Sequence, residues 1–169
     1  MSLKEATKDQ HHAAERHPVG AAMADGTISE QWWADWLGAL FIIHSAIDPR
    51  LPEPLRRTRQ IAADLAALDV QPHLSRQALR YVQGMTDIDR EAATYVFTGA
   101  HLMGGAITAK AVEGRLPTEH LRWDDRQEVV KMWKPMRERS DLADESRRAF
   151  KAVLAICEEI LAHYAGVGR

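Results

Sequence analysis

An all-α fold is predicted for this chain of 169 residues by three observations. Apolar residues recur at helical spacing in almost every segment. Strand-like alternation bounded by turns never develops, and the good helix formers Ala, Leu, Glu and Arg dominate. With 46% hydrophobic and 27% charged residues and no dividing linker or repeat, the expectation is one domain over 1–169, a multi-helix bundle.

Six to eight helices follow from the local signals. Ser2 and Glu5 have the spacing of a capping box and Pro18 forbids α-conformation at His17, so Ser2 to about His17 reads as one helix. Thr27 and Glu30 repeat the capping spacing and open a second helix. It runs through Trp32, Trp33, Trp36, Leu37, Leu40, Phe41, Ile43, His44 and Ile47 to Asp48-Pro49. Apolar around much of its circumference, it belongs at the centre of the bundle, with its tryptophans as packing residues.

Pro49, Pro52 and Pro54 make an extended turn before a helix over Leu55–Leu68, with Ile61, Leu65 and Leu68 inward. Another helix starts near Ser75, places Leu79, Tyr81 and Val82 inward, and ends at Gly84. Thr86-Asp87 caps a longer one from about Ile88 to Val112, and Pro117 closes that stretch. A helix over Asp124–Lys134 turns Val129, Val130 and Trp133 inward, Pro135 kinks it, and Asp141 to about Tyr164 forms the last.

Charge and cysteine content exclude several classes. A formal charge of -2 without a sustained basic run argues against a nucleic-acid partner, although single lysines can still serve a small anion. A lone Cys157 excludes a disulfide framework and Cys-rich metal sites, which suits a reducing compartment, and the cytoplasm is expected. The chain opens on a charged amphipathic helix rather than a signal-type apolar core. Trp36–Ile47 is too short to span a bilayer, so no membrane is expected. Neither H-x-x-x-H nor paired E-x-x-H spacing supports a dinuclear metal bundle, and His44 reads first as a hydrogen-bonded core histidine.

On the first helix Leu3, Ala6, Thr7, Gln10 and Ala14 share a weakly apolar face. His11 falls on its edge beside Lys4 and Lys8, while His12 points the opposite way. A flat ligand held by His11 would rest its apolar body on the stripe and direct acidic groups to the two lysines. Haem has that anatomy; a solvated surface helix has the same pattern. His17 is a weaker competitor for the ligand role.

Three glycines interrupt Tyr95-Val96-Phe97-Thr98-Gly99-Ala100-His101-Leu102-Met103-Gly104-Gly105-Ala106-Ile107. Each costs about 1 kcal/mol relative to Ala in a helix interior, so something must approach the backbone closely, another helix or a flat ligand. Ala93, Ala100, Gly104 and Ala111 line one side, suited to helix contact. Gly99 and Met103 lie on the adjacent side, which is the one expected to cover a ligand.

These two segments resemble the haem oxygenase family. The opening L-K-E-A-T-K-x-x-H is similar to the family's proximal helix, and Y-V-x-x-G-x-x-L-x-G is similar to the distal helix of its bacterial, phytochrome-associated branch. The resemblance implies haem b as substrate and cofactor, opened with O2 and an external donor, ferredoxin or reductase, to biliverdin, CO and iron. It places the iron on His11 and the propionates near Lys4 and Lys8, with Lys134 or Arg137 on the opposite rim; Tyr95 reads as a core residue whose position also suits the ligand edge, Phe150 is equally two-sided, and both are kept as candidate cofactor-binding residues. It assigns Gly99, Ala100, Met103 and Gly104 to the distal face, and it suggests a bilin-binding photoreceptor as consumer of the product.

Two positions depart from the family's Gly-(Asp or Ser)-x-x-Gly-Gly pattern: Ala100 stands at the polar position and Met103 at a glycine. A thioether there suits either packing or a sixth iron ligand that blocks oxygen. A one-residue shift would instead put His101 at the acidic position. A haem-binding relative that stores, carries or senses haem without degrading it is therefore the alternative reading. A non-haem, thiaminase-like helical protein is the second, with Cys157 as its sole available thiolate.

Overall fold

The computed structural model describes residues 1–164. Among these it contains helices and turns without strands, as the periodicity predicts, but in more and shorter pieces. The α-helical segments are α1 (Leu3–Ala6), α2 (Lys8–Arg16), α3 (Pro18–Asp25), α4 (Glu30–Ile47), α5 (Thr58–Ala66), α6 (Arg76–Val82), α7 (Asp87–Ala93), α8 (Gly99–Met103), α9 (Gly105–Ala111), α10 (Arg126–Trp133) and α11 (Ala143–Tyr164).

α4 is the axis of the bundle. Its Trp33, Ala34, Leu37, Ala39, Leu40 and Ile43 are buried, and α5, α6, α7 and α11 pack around it. Trp33 donates its indole N–H to the Pro117 carbonyl at 3.0 Å, so the large apolar ring enters the core with its polar atom satisfied. This is the packing role expected of the tryptophans. The start of α4 differs from expectation: Ser29, not Thr27, is the N-cap, accepting from the Trp32 N–H at 3.1 Å. The Thr27 hydroxyl is engaged by Asp25 at 2.6 Å, and Glu30 accepts instead from the Asp69 N–H at 3.1 Å.

The N-terminal helix is also divided. Ser2 and Glu5 form the capping box, but Thr7 leaves helical geometry at φ -115°, ψ 8°, which separates α1 from α2. Its buried hydroxyl donates to the Leu3 carbonyl at 2.7 Å, a back-bond that bends helices. Pro18 ends α2 and, with its fixed φ, also opens α3, a helix that the sequence reading did not foresee. In α6 it is Ala78 that is buried, whereas Leu79 is exposed.

The expected single helix from Ile88 to Val112 is three segments. Thr94–Thr98 widens into a π-turn between α7 and α8, and Gly104 separates α8 from α9. Arg126 donates to the Leu102 carbonyl beside that break at 3.1 Å. The kink at Pro135 is a 3-10 turn over Lys134–Glu138. No helix among the described residues is long and apolar enough to cross a membrane.

Candidate functional site

His11 lies on α2, three residues after Lys8, with a side chain 55% exposed. Beneath it Leu3 and Thr7 are buried, so the helix rests on one edge of its apolar face and presents the imidazole outward. Phe150 of α11 meets the ring edge-on, with centroids 5.8 Å apart and planes at 76°, which limits how the imidazole can turn. One helical turn on, Glu15 Oε1 lies 3.5 Å from His11 Nε2. The sequence reading missed Glu15. Its signal was the i, i+4 spacing, which places a carboxylate within reach of a histidine and lets it orient the ring and raise its basicity. Lys4 and Lys8 are exposed on the same two segments.

His17 is not available as a ligand. Its Nδ1 accepts the Val19 N–H at 3.2 Å as the N-cap of α3, and its Nε2 is bonded to Glu158 at 2.7 Å. His12 is half-buried, its ring 6.1 Å from that of His11.

Two contacts hold this N-terminal region to the glycine-bearing helix. α3 packs on both α2 and α9, and the 3-10 turn carrying Lys134 and Arg137 packs on α1 and on α10, which in turn packs on α8. α1–α2 and α8–α9 thus form two walls, bridged directly by α3 and through α10 by the 134–138 turn. Lys134 is exposed on that turn, and the Arg137 guanidinium lies 5.5 Å over the Trp133 ring.

On the second wall Ala93 is buried and Met103 exposed as expected, but Gly99 changes sides with Ala100 and Gly104. Gly99 is buried: a Cβ there would meet Trp133 Cζ2 at 2.5 Å, so its bareness admits an indole from α10 rather than a ligand. A Cβ on Gly105 would likewise meet Leu121 Cδ2 at 3.2 Å. Gly104 differs, since a Cβ there would meet nothing nearer than the Ala100 carbonyl oxygen at 3.4 Å. Ala100 and Gly104 are exposed, and Met103 and Ile107, at 44% and 68%, add large apolar groups to the exposed side. Large side chains left uncovered in this way mark a surface that expects a partner.

Tyr95 takes the core role and not the ligand edge. It is buried, stacked on Trp133 with centroids 5.5 Å apart and planes 1° from parallel, and its carbonyl accepts the Trp133 indole N–H at 3.3 Å. Burial pushes the phenol above its ordinary range. It belongs to the packing behind the wall rather than to a ligand edge, because the π-turn rotates residues 94–98 inward.

His101, which a shifted alignment would place at the distal polar position, points into the core at 4% exposure. Its Nε2 lies 3.0 Å from His44 Nε2, and His44 Nδ1 lies 3.1 Å from Asp48 Oδ1. Asp48 also accepts from the backbone N–H groups of Arg57 and Thr58 at 2.8 and 2.7 Å. Burial alone would raise the Asp48 carboxyl, but these bonds and His44 hold it below its ordinary range. An ionised Asp48 accepts from His44 Nδ1–H, and the His44 Nε2–His101 Nε2 contact is a hydrogen bond in which one ring donates and the other accepts.

His120 stands edge-on to His101 at 5.2 Å and is bonded through Nδ1 to Asp64 at 2.6 Å. Burial, then the charges of His44, His120 and Arg57, drive His101 well below the ordinary imidazole range. Burial also lowers His120, against the pull of Asp64. With Nε2 committed to His44, His101 anchors α8 to α4. His44 is the hydrogen-bonded core histidine that its apolar helix suggested.

A surface cleft of about 580 Å³ lies elsewhere, lined by Arg57, Glu119, Trp123 and Glu128 among others and including no residue of α2 or α8. Its mixed charge and open shape do not match the imidazole, apolar cover and basic rim assembled around His11.

Solved structures with this fold include heme oxygenase-1 from the cyanobacterium Synechocystis in complex with heme. It matches at TM-score 0.79 and 17% identity, covering 95% of this chain and 91% of that one. The heme oxygenase from Leptospira interrogans matches at TM-score 0.79 and 19% identity, covering 93% of this chain and 97% of that one. Heme oxygenase-2 from Synechocystis, in complex with heme and NO, gives TM-score 0.79 and 18% identity over 95% and 84%. The architecture is therefore that of the all-helical haem oxygenases. The family model described as heme oxygenase matches residues 1–119, and this chain belongs to the haem oxygenase family. No curated protein sequence matches it.

Proposed function

We propose that this chain, as a single domain, is a haem oxygenase that opens haem b to biliverdin, CO and iron, using O2 and electrons from an external ferredoxin or reductase. The observation that carries this reading is the exposed His11 imidazole, with Glu15 behind it, in a chain of this family whose second wall leaves Met103, Gly104 and Ile107 uncovered. A haem fits that donor set: one neutral nitrogen for iron, apolar side chains for the ring, and cations for two carboxylates.

In this reading His11 would hold the iron, and Glu15, 3.5 Å from its Nε2, would fix the orientation of the ring. Lys4 and Lys8 pair with the propionates, Lys134 and Arg137 supply charge from the 134–138 turn, and Phe150 keeps water from the proximal edge. When bound, haem supplies the redox and oxygen chemistry. The chain excludes bulk solvent with Met103 and Ile107 and brings the bare backbone of Gly104 close. Because Ala100 offers no side-chain acid, water ordered by backbone groups is the proton source on that face. Gly99, which the family pattern assigns to the same face, acts indirectly by seating α8 on Trp133. The enzyme acts in the cytoplasm, with a bilin-binding photoreceptor as the downstream consumer that the phytochrome-associated branch suggests.

Exposure of the Met103 thioether beside Gly104 favours a second reading, a haem carrier or sensor in which sulfur takes the sixth iron position. Haem titration of wild type and His11→Ala, followed by turnover with ascorbate and O2, tests both. The oxygenase reading expects a ferrous complex that binds CO and a bilin product. A six-coordinate low-spin ferrous complex that resists CO overturns it in favour of the carrier. The thiaminase-like reading lacks its nucleophile: Cys157 is buried in α11, and burial with the Glu158 charge pushes its thiol up to about 12.

A further inference from the structure

We propose that Asp35, His73 and His163 form a binding site for a borderline divalent metal ion, with zinc as the best-suited species, separate from the His11 site. Three distant parts of the chain supply the ligands: α4 gives Asp35, the turn before α6 gives His73, and the last turn of α11 gives His163.

Asp35 lies on the central helix and is buried at 3% exposure, which is costly for a carboxylate unless a cation compensates it. Among the described residues its ion-pair partners within 4.0 Å are His73 and His163, without an Arg or Lys. Its Oδ1 is occupied by the backbone N–H of His73 at 2.8 Å and by Gln31 at 3.1 Å. Oδ2 is approached by three groups: His73 Nδ1 at 3.1 Å, the Tyr164 hydroxyl at 2.9 Å and His163 Nδ1 at 4.0 Å. The Tyr164 hydroxyl also lies 3.1 Å from His73 Nδ1, so a buried carboxylate oxygen, two imidazole nitrogens and a phenol converge on one point.

A metal ion suits this convergence, because the lone pairs of both imidazoles and of Oδ2 can point to one centre. Metal–ligand bonds of about 2.0–2.1 Å in a tetrahedron put ligand atoms about 3.3 Å apart. The His73–Asp35 spacing is already 3.1 Å, His163 Nδ1 lies 4.0 Å from Oδ2, and all three ligand atoms lie within 4.8 Å of one another, so an inward shift of the half-exposed His163 at the helix end closes the set. The two rings already lie with centroids 4.6 Å apart. Two imidazoles and one carboxylate suit zinc, copper or nickel rather than magnesium or calcium. The fourth position faces the Tyr164 hydroxyl or solvent. Bound there, the ion ties the end of α11 to α4 and to the 69–75 turn, where among the described residues no ion pair to Arg or Lys does so.

Zinc titration of the haem-free, full-length protein by calorimetry and thermal melting tests the site. One equivalent of Zn2+ should bind and raise Tm, His73→Ala and His163→Ala should each weaken binding by about tenfold or more, and His11→Ala should leave it unchanged. Both variants replace half-exposed side chains, and their far-UV spectra and metal-free Tm verify that they fold. Unchanged zinc affinity in His73→Ala and His163→Ala overturns the assignment. So does loss of binding in His11→Ala, which places the ion at the His11, His12 and Glu15 cluster, or the absence of any Zn2+ effect on wild type.

Discussion

The two walls of the candidate haem site are built by opposite means. α1–α2 is specified by its own sequence: a capping box starts it, Thr7 bends it, Pro18 ends it, and each functional side chain projects from the face that helix geometry assigns. α8–α9 is specified by its neighbours. Its glycines are read by Trp133 and Leu121, its bend is held by a π-turn and by Arg126, and His101 fastens it to α4. The first wall carries a reactive nitrogen that tolerates local change; the second carries shape, which distant residues maintain.

His11→Ala breaks this comparison most strongly. Haem turnover should fall more than about 100-fold, because the iron loses its protein ligand. Unfolding free energy should shift by no more than about 0.5 kcal/mol, since the side chain is largely exposed. Added imidazole should restore part of the haem spectrum, whereas a stability loss of several kcal/mol would show that the proximal wall is structural after all.

Gly99→Ala and Gly104→Ala should separate packing from ligand cover on the second wall. A methyl at Gly99 collides with the Trp133 indole and should cost about 1–3 kcal/mol by urea denaturation. At Gly104 the methyl meets only a carbonyl oxygen at 3.4 Å, so stability should hold or rise by about 0.4–1 kcal/mol while haem affinity falls. Equal destabilisation by both variants would erase the distinction between the two faces.

Acid should loosen the second wall before the first. His101 and His120 are held below the ordinary imidazole range when folded, whereas unfolded histidine takes up a proton near about pH 6.5. Their stabilising contribution is therefore complete above that pH and is lost as the pH falls. The slope should reach at most about 1.4 kcal/mol per pH unit for each histidine. Urea midpoints measured from pH 7.5 downward check this, and His101→Leu should flatten the slope. The smallest effect expected is that of Glu15→Gln. It should lower haem affinity by about tenfold and shift the iron–histidine vibration, with stability unchanged.

This contrast also explains what the sequence reveals. The Ser2 capping box, the apolar circumference of α4 and the face of His11 depend on residues within one or two turns, and all are legible. Thr27 and Ser29 are equally good caps, and which one serves depends on Asp25 and on Asp69 from a later segment. The exposed side of the glycine helix is invisible to a helical wheel. A π-turn adds a residue and rotates everything after it, so Ala100 and Gly104 face outward and Gly99 inward. His44, His101 and His120 lie far apart in the chain and offer no spacing that would group them.

The two bridges between the walls are unequal. α3 is a continuous eight-residue helix, about 12 Å long at 1.5 Å per residue, pinned at its start by His17 to Glu158 and packed directly on α2 and α9. The other bridge runs through a five-residue 3-10 turn containing Pro135, with poorer hydrogen-bond geometry, and reaches α8 only by way of α10. The spacing of the walls is therefore set most directly by α3, a helix that carries none of the proposed haem-holding residues, and a substitution there alters the site without touching the ligand.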